Sequence, residues 1–286
     1  MILDWLIAPL SYSFMQRGLL ASVMVGILCA VVGCYIVLRS MAFLGDALAH
    51  SILPGVAVAY LLQGNLMIGA LAAAVAVALG IGFLSRQGTI KEDTAIGILF
   101  AASLSLGVVL ISTIRTYAVD LTHILFGNVL GVSTADLWLT AGLGLVVLIT
   151  IVLLYKEFLV LSFDPVLAAT LRLPVGLLRN VMLILLALTI VVSMQTVGVG
   201  LVAAMLVTPG ATATLMTRRL PGMMALSAAV GAFSSVAGLY LSFYFDVASG
   251  AAVVLTATTI FLFAFLFAPR RGLLWQRLRE RRPAGR

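Results

Sequence analysis

From Gly18 onward the sequence is written in apolar runs of about twenty residues, each closed by a short polar joint. A helix rises 1.5 Å per residue, so such a run crosses a hydrocarbon layer of about 30 Å. In lipid a helix also satisfies its own backbone hydrogen bonds. The runs predict spans at Gly18–Leu38, Met41–Leu62, Leu66–Leu84, Thr94–Thr113, Thr134–Tyr155, Leu178–Gln195, Gly198–Met216, Gly222–Phe243 and Ala248–Ala268. The segment Ile114–Ser133, with Arg115, Asp120 and His123, is too polar for a clean span and too apolar for a plain loop. A partly buried or re-entrant course suits it. The expected fold is therefore an all-α polytopic membrane protein with about nine transmembrane helices, eight or ten if that segment counts differently.

Little chain is left for anything else. Only 9% of the residues are charged, against about 25% in soluble domains. We read residues 1–286 as a single transmembrane domain. Residues 1–17 form an interfacial N-terminus with Trp5 and Tyr12, 156–178 a long polar loop, and 269–286 a basic tail. The N-terminal stretch has neither a basic leader nor a cleavage motif, so it does not read as a removable signal peptide. Lys91 and Lys156 are the only lysines, and neither completes a G-x-x-x-x-G-K-[ST] loop, so the chain is not expected to hydrolyse ATP by that route. The net charge of +7 is not a nucleic-acid signature. Arg39, Arg86–Lys91, Lys156–Arg172, Arg218-Arg219 and the tail fall on one side when spans alternate, which makes that side the cytoplasm. Cys29 and Cys34 stand about 140° apart on one helix, which suits apolar filler better than a disulfide.

The second span carries the chemistry. Asp46, His50 and Pro54 follow at four-residue spacing, which puts Asp46 and His50 on nearly one helical face. An ionisable side chain inside a span costs roughly 2.5–3.5 kcal/mol on insertion scales, so a compensating role is expected. With Ser40 at the inner end, Asp46 lies about 9 Å into the span and His50 about 15 Å, near the midplane. A carboxylate oxygen with an imidazole nitrogen suits Mn²⁺, Fe²⁺ or Zn²⁺. Two ligands make a weak site unless a second copy supplies two more, and a weak site suits transit. The residues alone equally allow a proton relay, or a helix cap at Asp46 with His50 bound to a backbone carbonyl.

Other polar groups are weaker candidates. Asp120 and His123, three apart, could share a helix turn on the outer side, either receiving metal or simply lying at the interface. Glu92-Asp93 reads as the first turn of a helix or a contact for a cytoplasmic partner. Gln195 and Thr196 read as turn residues. Asp164-Pro165 reads as a helix start, Asp164 capping and Pro165 at the first helical position, with Pro174 ending that short helix. No H-E-x-x-H or G-x-S-x-G occurs, which argues against an intramembrane enzyme.

At these residues the chain resembles a known family. FLGDALAHSILPGVAVAYLL, SRQGTIKEDTAIGILF, HILFGNVLGVSTADLW, SFDPVLAATLRLP, MQTVGVGLVAAMLVTPGATATLMT and YFDVASGAAVVL resemble, in order, the ABC-3 metal permeases, and its manganese/iron branch more than its zinc branch. The resemblance implies a type II ABC importer permease in a bacterial inner membrane. It would work with cytoplasmic ABC ATPase subunits, an extracytoplasmic metal-binding protein and a second permease chain, identical or paralogous. Mn²⁺, or Fe²⁺ or Zn²⁺, would be cargo rather than a resident cofactor. The resemblance places Asp46 and His50 on the metal path. It makes the segment bearing Asp164, Pro165, Ala168, Leu173 and Pro174 the contact for the ATPase. The family has glycine where Arg172 stands, which questions how that short helix ends. The competing reading is a stand-alone, proton-coupled metal carrier.

Overall fold

The computed structural model describes residues 8–86, 90–113 and 131–268. After a 3-10 turn at Ala8–Ser11, the order is α1 (Ser13–Leu38), α2 (Phe43–Ser51), α3 (Leu53–Leu61), α4 (Leu66–Arg86), α5 (Glu92–Ser112) and α6 (Thr134–Leu153). Then follow α7 (Tyr155–Phe163), α8 (Pro165–Thr170), α9 (Val175–Val197), α10 (Val199–Met216), α11 (Leu220–Phe245) and α12 (Ser249–Phe267). With α2 and α3 taken together, nine segments among the described residues are long and apolar enough to cross a membrane. The architecture is an all-α, multi-pass membrane protein, as expected. Asp120, His123 and the basic tail lie outside the described residues.

Three departures from the sequence reading have a local physical cause. α1 begins at Ser13 rather than Gly18. Its polar first turns hold themselves, with Gln16 Nε2 donating to the Leu10 carbonyl at 2.7 Å and Arg17 Nε to the Ser13 carbonyl at 3.3 Å. The second span breaks at Ile52. Pro54 explains the break: it has no N–H, and its ring crowds the carbonyl four residues back, which is that of His50. Finally, α9 runs on through Gln195 and Thr196 to Val197. The Thr196 hydroxyl donates to the Ser193 carbonyl at 2.9 Å, so these are helix residues and not a turn. The turn falls instead on Gly198, whose φ of 85° and ψ of 161° favour glycine.

α1 is the central helix. It is apolar all round, and a helix of that kind belongs inside. α11 crosses it where Gly26 meets Gly231, and two buried serines tie the pair. Ser227 Oγ donates to the Ala30 carbonyl at 3.0 Å and Ser235 Oγ to the Ser22 carbonyl at 2.9 Å. α10 crosses α1 at Gly33, where a Cβ would run into the Leu206 carbonyl. Small residues let backbones approach in lipid, where no hydrophobic effect drives helices together. Outward-facing large side chains such as Trp138, Val152, Leu153 and Phe233 remain exposed, as lipid-facing residues should.

Helices α1 and α8 end alike. In α8 the Leu173 N–H donates to the Ala168 carbonyl at 3.1 Å and the Arg172 N–H to the Ala169 carbonyl at 3.0 Å. Arg172 itself takes the left-handed conformation, with φ 58°. The turn that glycine would favour therefore forms with arginine, at a cost of about 1 kcal/mol. Ser40 does the same after α1, with φ 57°.

Candidate metal site

α2 is a short amphipathic helix. Leu44, Ala47 and Leu48 point into the core and are buried. Asp46 and His50 lie on the other side, with side chains 42% and 28% exposed. Asp46 sits in the first turn of α2 but is not its cap, since the N-cap residue is Ala42. The capping alternative for Asp46 is thereby removed.

The Nε2 of His50 lies 3.5 Å from Oδ1 of Asp46. Two ligand atoms bound to one ion at about 2.1 Å each stand roughly 3.0–3.4 Å apart in octahedral or tetrahedral geometry. The pair is thus spaced to close on a single cation with only a small rotamer adjustment. Both groups face an open groove of about 620 Å³. Its other walls are Val199, Gly200 and Leu201 from the start of α10 and Gly250, Ala251, Val254 and Leu255 from the start of α12. Among the described residues no cluster of three or more His, Cys, Asp or Glu forms. Cys29 and Cys34 are buried in α1 and unlinked. The Cys29 thiol lies 3.5 Å from Ser193 Oγ, so neither sulfur joins the pair.

α5 holds the back of the site. The Phe100 ring lies 6.0 Å from the His50 ring, centre to centre, and 5.4 Å edge-on from Phe43. One turn further on, the buried Ser103 hydroxyl donates to the Ser51 carbonyl at 3.0 Å. Gly107 then makes room for Leu53 and Pro54 at the break between α2 and α3. The structure brings the two sequence-predicted candidates, Asp46 and His50, together at one groove, whose other walls the sequence did not indicate. Gly200 lines that groove and contributes space rather than chemistry.

The Asp164–Pro174 segment lies away from this groove. Asp164 Oδ1 accepts from the N–H groups of Val166 at 2.9 Å and Leu167 at 3.0 Å, and Pro165 opens α8. Ala168 is buried against the bundle, while Phe163, Val166, Leu167 and Leu171 stand exposed. Leu173 is half-buried, and Pro174 caps the start of α9. The result is a short, rigidly capped helix with an uncovered apolar face.

The chain is similar to several known transport proteins over nearly its whole length. The chain is 51% identical over 273 residues to the manganese transport system membrane protein MntC of Halalkalibacterium halodurans, covering 96% of this chain and 94% of that one. It is 41% identical to the manganese import system permease protein ScaB of Streptococcus gordonii, covering 94% and 96%. The fold matches a chain of PsaBC from Streptococcus pneumoniae, solved in complex with Fab, at a TM-score of 0.85 and 39% identity over 98% of this chain and all of that one. The model of the ABC 3 transport family matches residues 11–268, nearly the whole described bundle, and the chain belongs to that family.

Proposed function

We propose that this chain is the membrane permease of an ATP-driven importer for divalent transition metal ions, with Mn²⁺ as its principal cargo. One observation carries the reading. A chain half identical to a manganese transport membrane protein along nearly its full length presents an Asp–His pair, at chelating distance, to an open groove. Oxygen and imidazole donors without thiolate suit Mn²⁺ and Fe²⁺, and they hold Zn²⁺ less selectively than a sulfur site would. Two donors per chain leave the coordination shell half empty. A second permease chain facing the groove completes it and covers the apolar walls from Val199 to Leu201 and around Leu255.

On the orientation given by loop charges, the walls of the groove are the outer ends of α10 and α12. The pair then faces the side from which a binding protein delivers metal, in a bacterial cytoplasmic membrane. ATP is hydrolysed on separate cytoplasmic subunits that seat the exposed face of α8. ATP-driven movement of those subunits closes the outer path and opens an inner one, by alternating access.

The test is uptake of radioactive Mn²⁺ into vesicles carrying the permease, with and without its ATPase and binding protein. Uptake should require ATP and all partners, and unlabelled Fe²⁺ should compete better than Zn²⁺. Uptake by the permease alone, driven by a proton gradient, would establish the stand-alone carrier instead. A second expectation concerns α8. Leu167→Asp places a charge on its exposed apolar face without touching the core, so the bundle should fold normally. Co-purification of the ATPase should drop about tenfold or more, as for loss of a central apolar contact.

A further inference from the structure

A charged cluster away from the Asp46–His50 pair joins the ends of α1, α5 and α9. Glu92 opens α5 and turns inward rather than toward solvent. Its Oε2 accepts from Arg39 Nη2 at 2.8 Å, and the Arg39 side chain is only 7% exposed. Arg39 closes α1 just before the turn into α2. Burial pulls the Arg39 guanidinium below its usual pKa, and the charge of Glu92 opposes that shift. On the other side stands Arg179, in the second turn of α9. It donates through Nη1 to Ser85 Oγ of α4 at 3.3 Å, and its Nε lies 3.9 Å from Glu92 Oε1. Neither Glu92 Oε1 nor Arg179 Nε has a hydrogen-bond partner among the described residues, and both atoms are buried.

Such an arrangement is half closed. A buried donor and acceptor without partners cost more than a surface pair. Here the two face each other across a gap that a movement of about 1 Å would turn into a hydrogen bond. What moves with each of them is visible in the packing. Arg179 belongs to α9, which follows α8 through the four residues Leu171–Pro174. Glu92 belongs to α5, which grips α2 and α3 at Phe100, Ser103 and Gly107. Those grips lie about 12 to 22 Å further along the same helix.

We infer that Glu92 is the joint through which movement of the α8–α9 segment reaches the helix bearing Asp46 and His50. Closing the Glu92–Arg179 contact draws α5 toward α9. α5 then carries α2 with it, because Phe100 and Ser103 leave His50 and Ser51 no independent course. Glu92 is thus a positioning residue for transport, acting through α5, and does not touch metal. The inference rests on the reading of α8 as the ATPase contact and of Asp46–His50 as the metal pair.

The test uses the full importer in vesicles, with Mn²⁺ transported and ATP hydrolysed measured together. In Glu92→Gln, Mn²⁺ moved per ATP should fall about tenfold, the effect of coupling energies found along packed networks. Arg179→Gln should lower the ratio similarly, and the double variant should be no worse than the worse single one, because both remove one contact. A ratio within about twofold of the parent in either single variant, or losses that multiply in the double, overturns the inference. If Glu92→Gln does not assemble, Arg179→Gln decides by the same ratio, since it leaves the Arg39–Glu92 pair intact. Asp46→Ala run alongside separates the two ideas. Normal uptake there defeats the metal-pair reading, whereas lost uptake there with a normal ratio in Arg179→Gln defeats only the joint.

Discussion

Alanine at Asp46 or at His50 is expected to reduce Mn²⁺ uptake about a hundredfold, at or beyond the loss seen when groups supporting a metal ligand are removed. The assembled complex should survive both changes. Asp46 is 42% exposed and His50 28% exposed, so neither truncation leaves a cavity in the core. In a span, a charged carboxylate is a cost to folding and its loss does not destabilise the bundle. The fall therefore has to appear in transport and not in yield. On the proposed reading each chain offers only two donors, so removing one halves what this chain contributes to the ligand set. Uptake should fall without a matching rise in the KM for the binding protein, because neither change alters the protein's outer surface beyond the groove. Undiminished uptake in both variants would mean that the groove carries metal without these side chains, and the proposed path would be wrong.

How far the sequence showed this depends on how local each feature is. The spans were legible because about twenty consecutive apolar residues carry the signal by themselves. The Asp–His pair was legible because both residues lie on one helix, one turn apart. The cap of α8 was legible too, since Asp164-Pro165 states its own geometry. The break at Ile52 was half legible: Pro54 was seen in register with the pair, yet the span was read as one helix. Features that join distant segments were hidden. Arg39 reads in the sequence only as a cytoplasmic charge and Glu92 as a helix first turn or a partner contact, and nothing local joins either of them to Arg179. Only packing brings the ends of α1, α5 and α9 together, with Arg39 and Glu92 separated by 53 positions. The groove walls were hidden for another reason, because Gly200, Gly250 and Ala251 contribute space and no chemistry. Arg172 shows a third limit. The missing glycine puts the geometry of that helix end in doubt, but the hydrogen bonds at Ala168 and Ala169 hold the left-handed turn with arginine in place.

Gly33→Ala tests whether close backbone contact around α1 fixes the frame of the site. An added Cβ at Gly33 meets the Leu206 carbonyl of α10, a backbone atom that no rotamer change can move aside. The expected loss is about 3 kcal/mol, the upper end for overpacking. It should appear as a lower melting temperature in detergent and a smaller folded yield. Gly97→Ala and Gly142→Ala supply the contrast. Both lie in helices with nothing within 4 Å of the added methyl, so alanine should be neutral or stabilise by up to about 1 kcal/mol through helix propensity. The consequence for function follows from where α10 goes next. The Leu206 side chain also fills the space a Cβ on Gly45, the residue before Asp46, would take, so α10 displaced by Gly33→Ala presses on the helix that carries the pair. Val199 to Leu201, at the start of the same helix, move the groove wall with it. Material that survives purification should therefore transport Mn²⁺ less well than its folded fraction predicts. Equal melting of the Gly33, Gly97 and Gly142 variants would show that α10 can ride outward from α1 without strain, and the groove would then owe its shape to the partner chain.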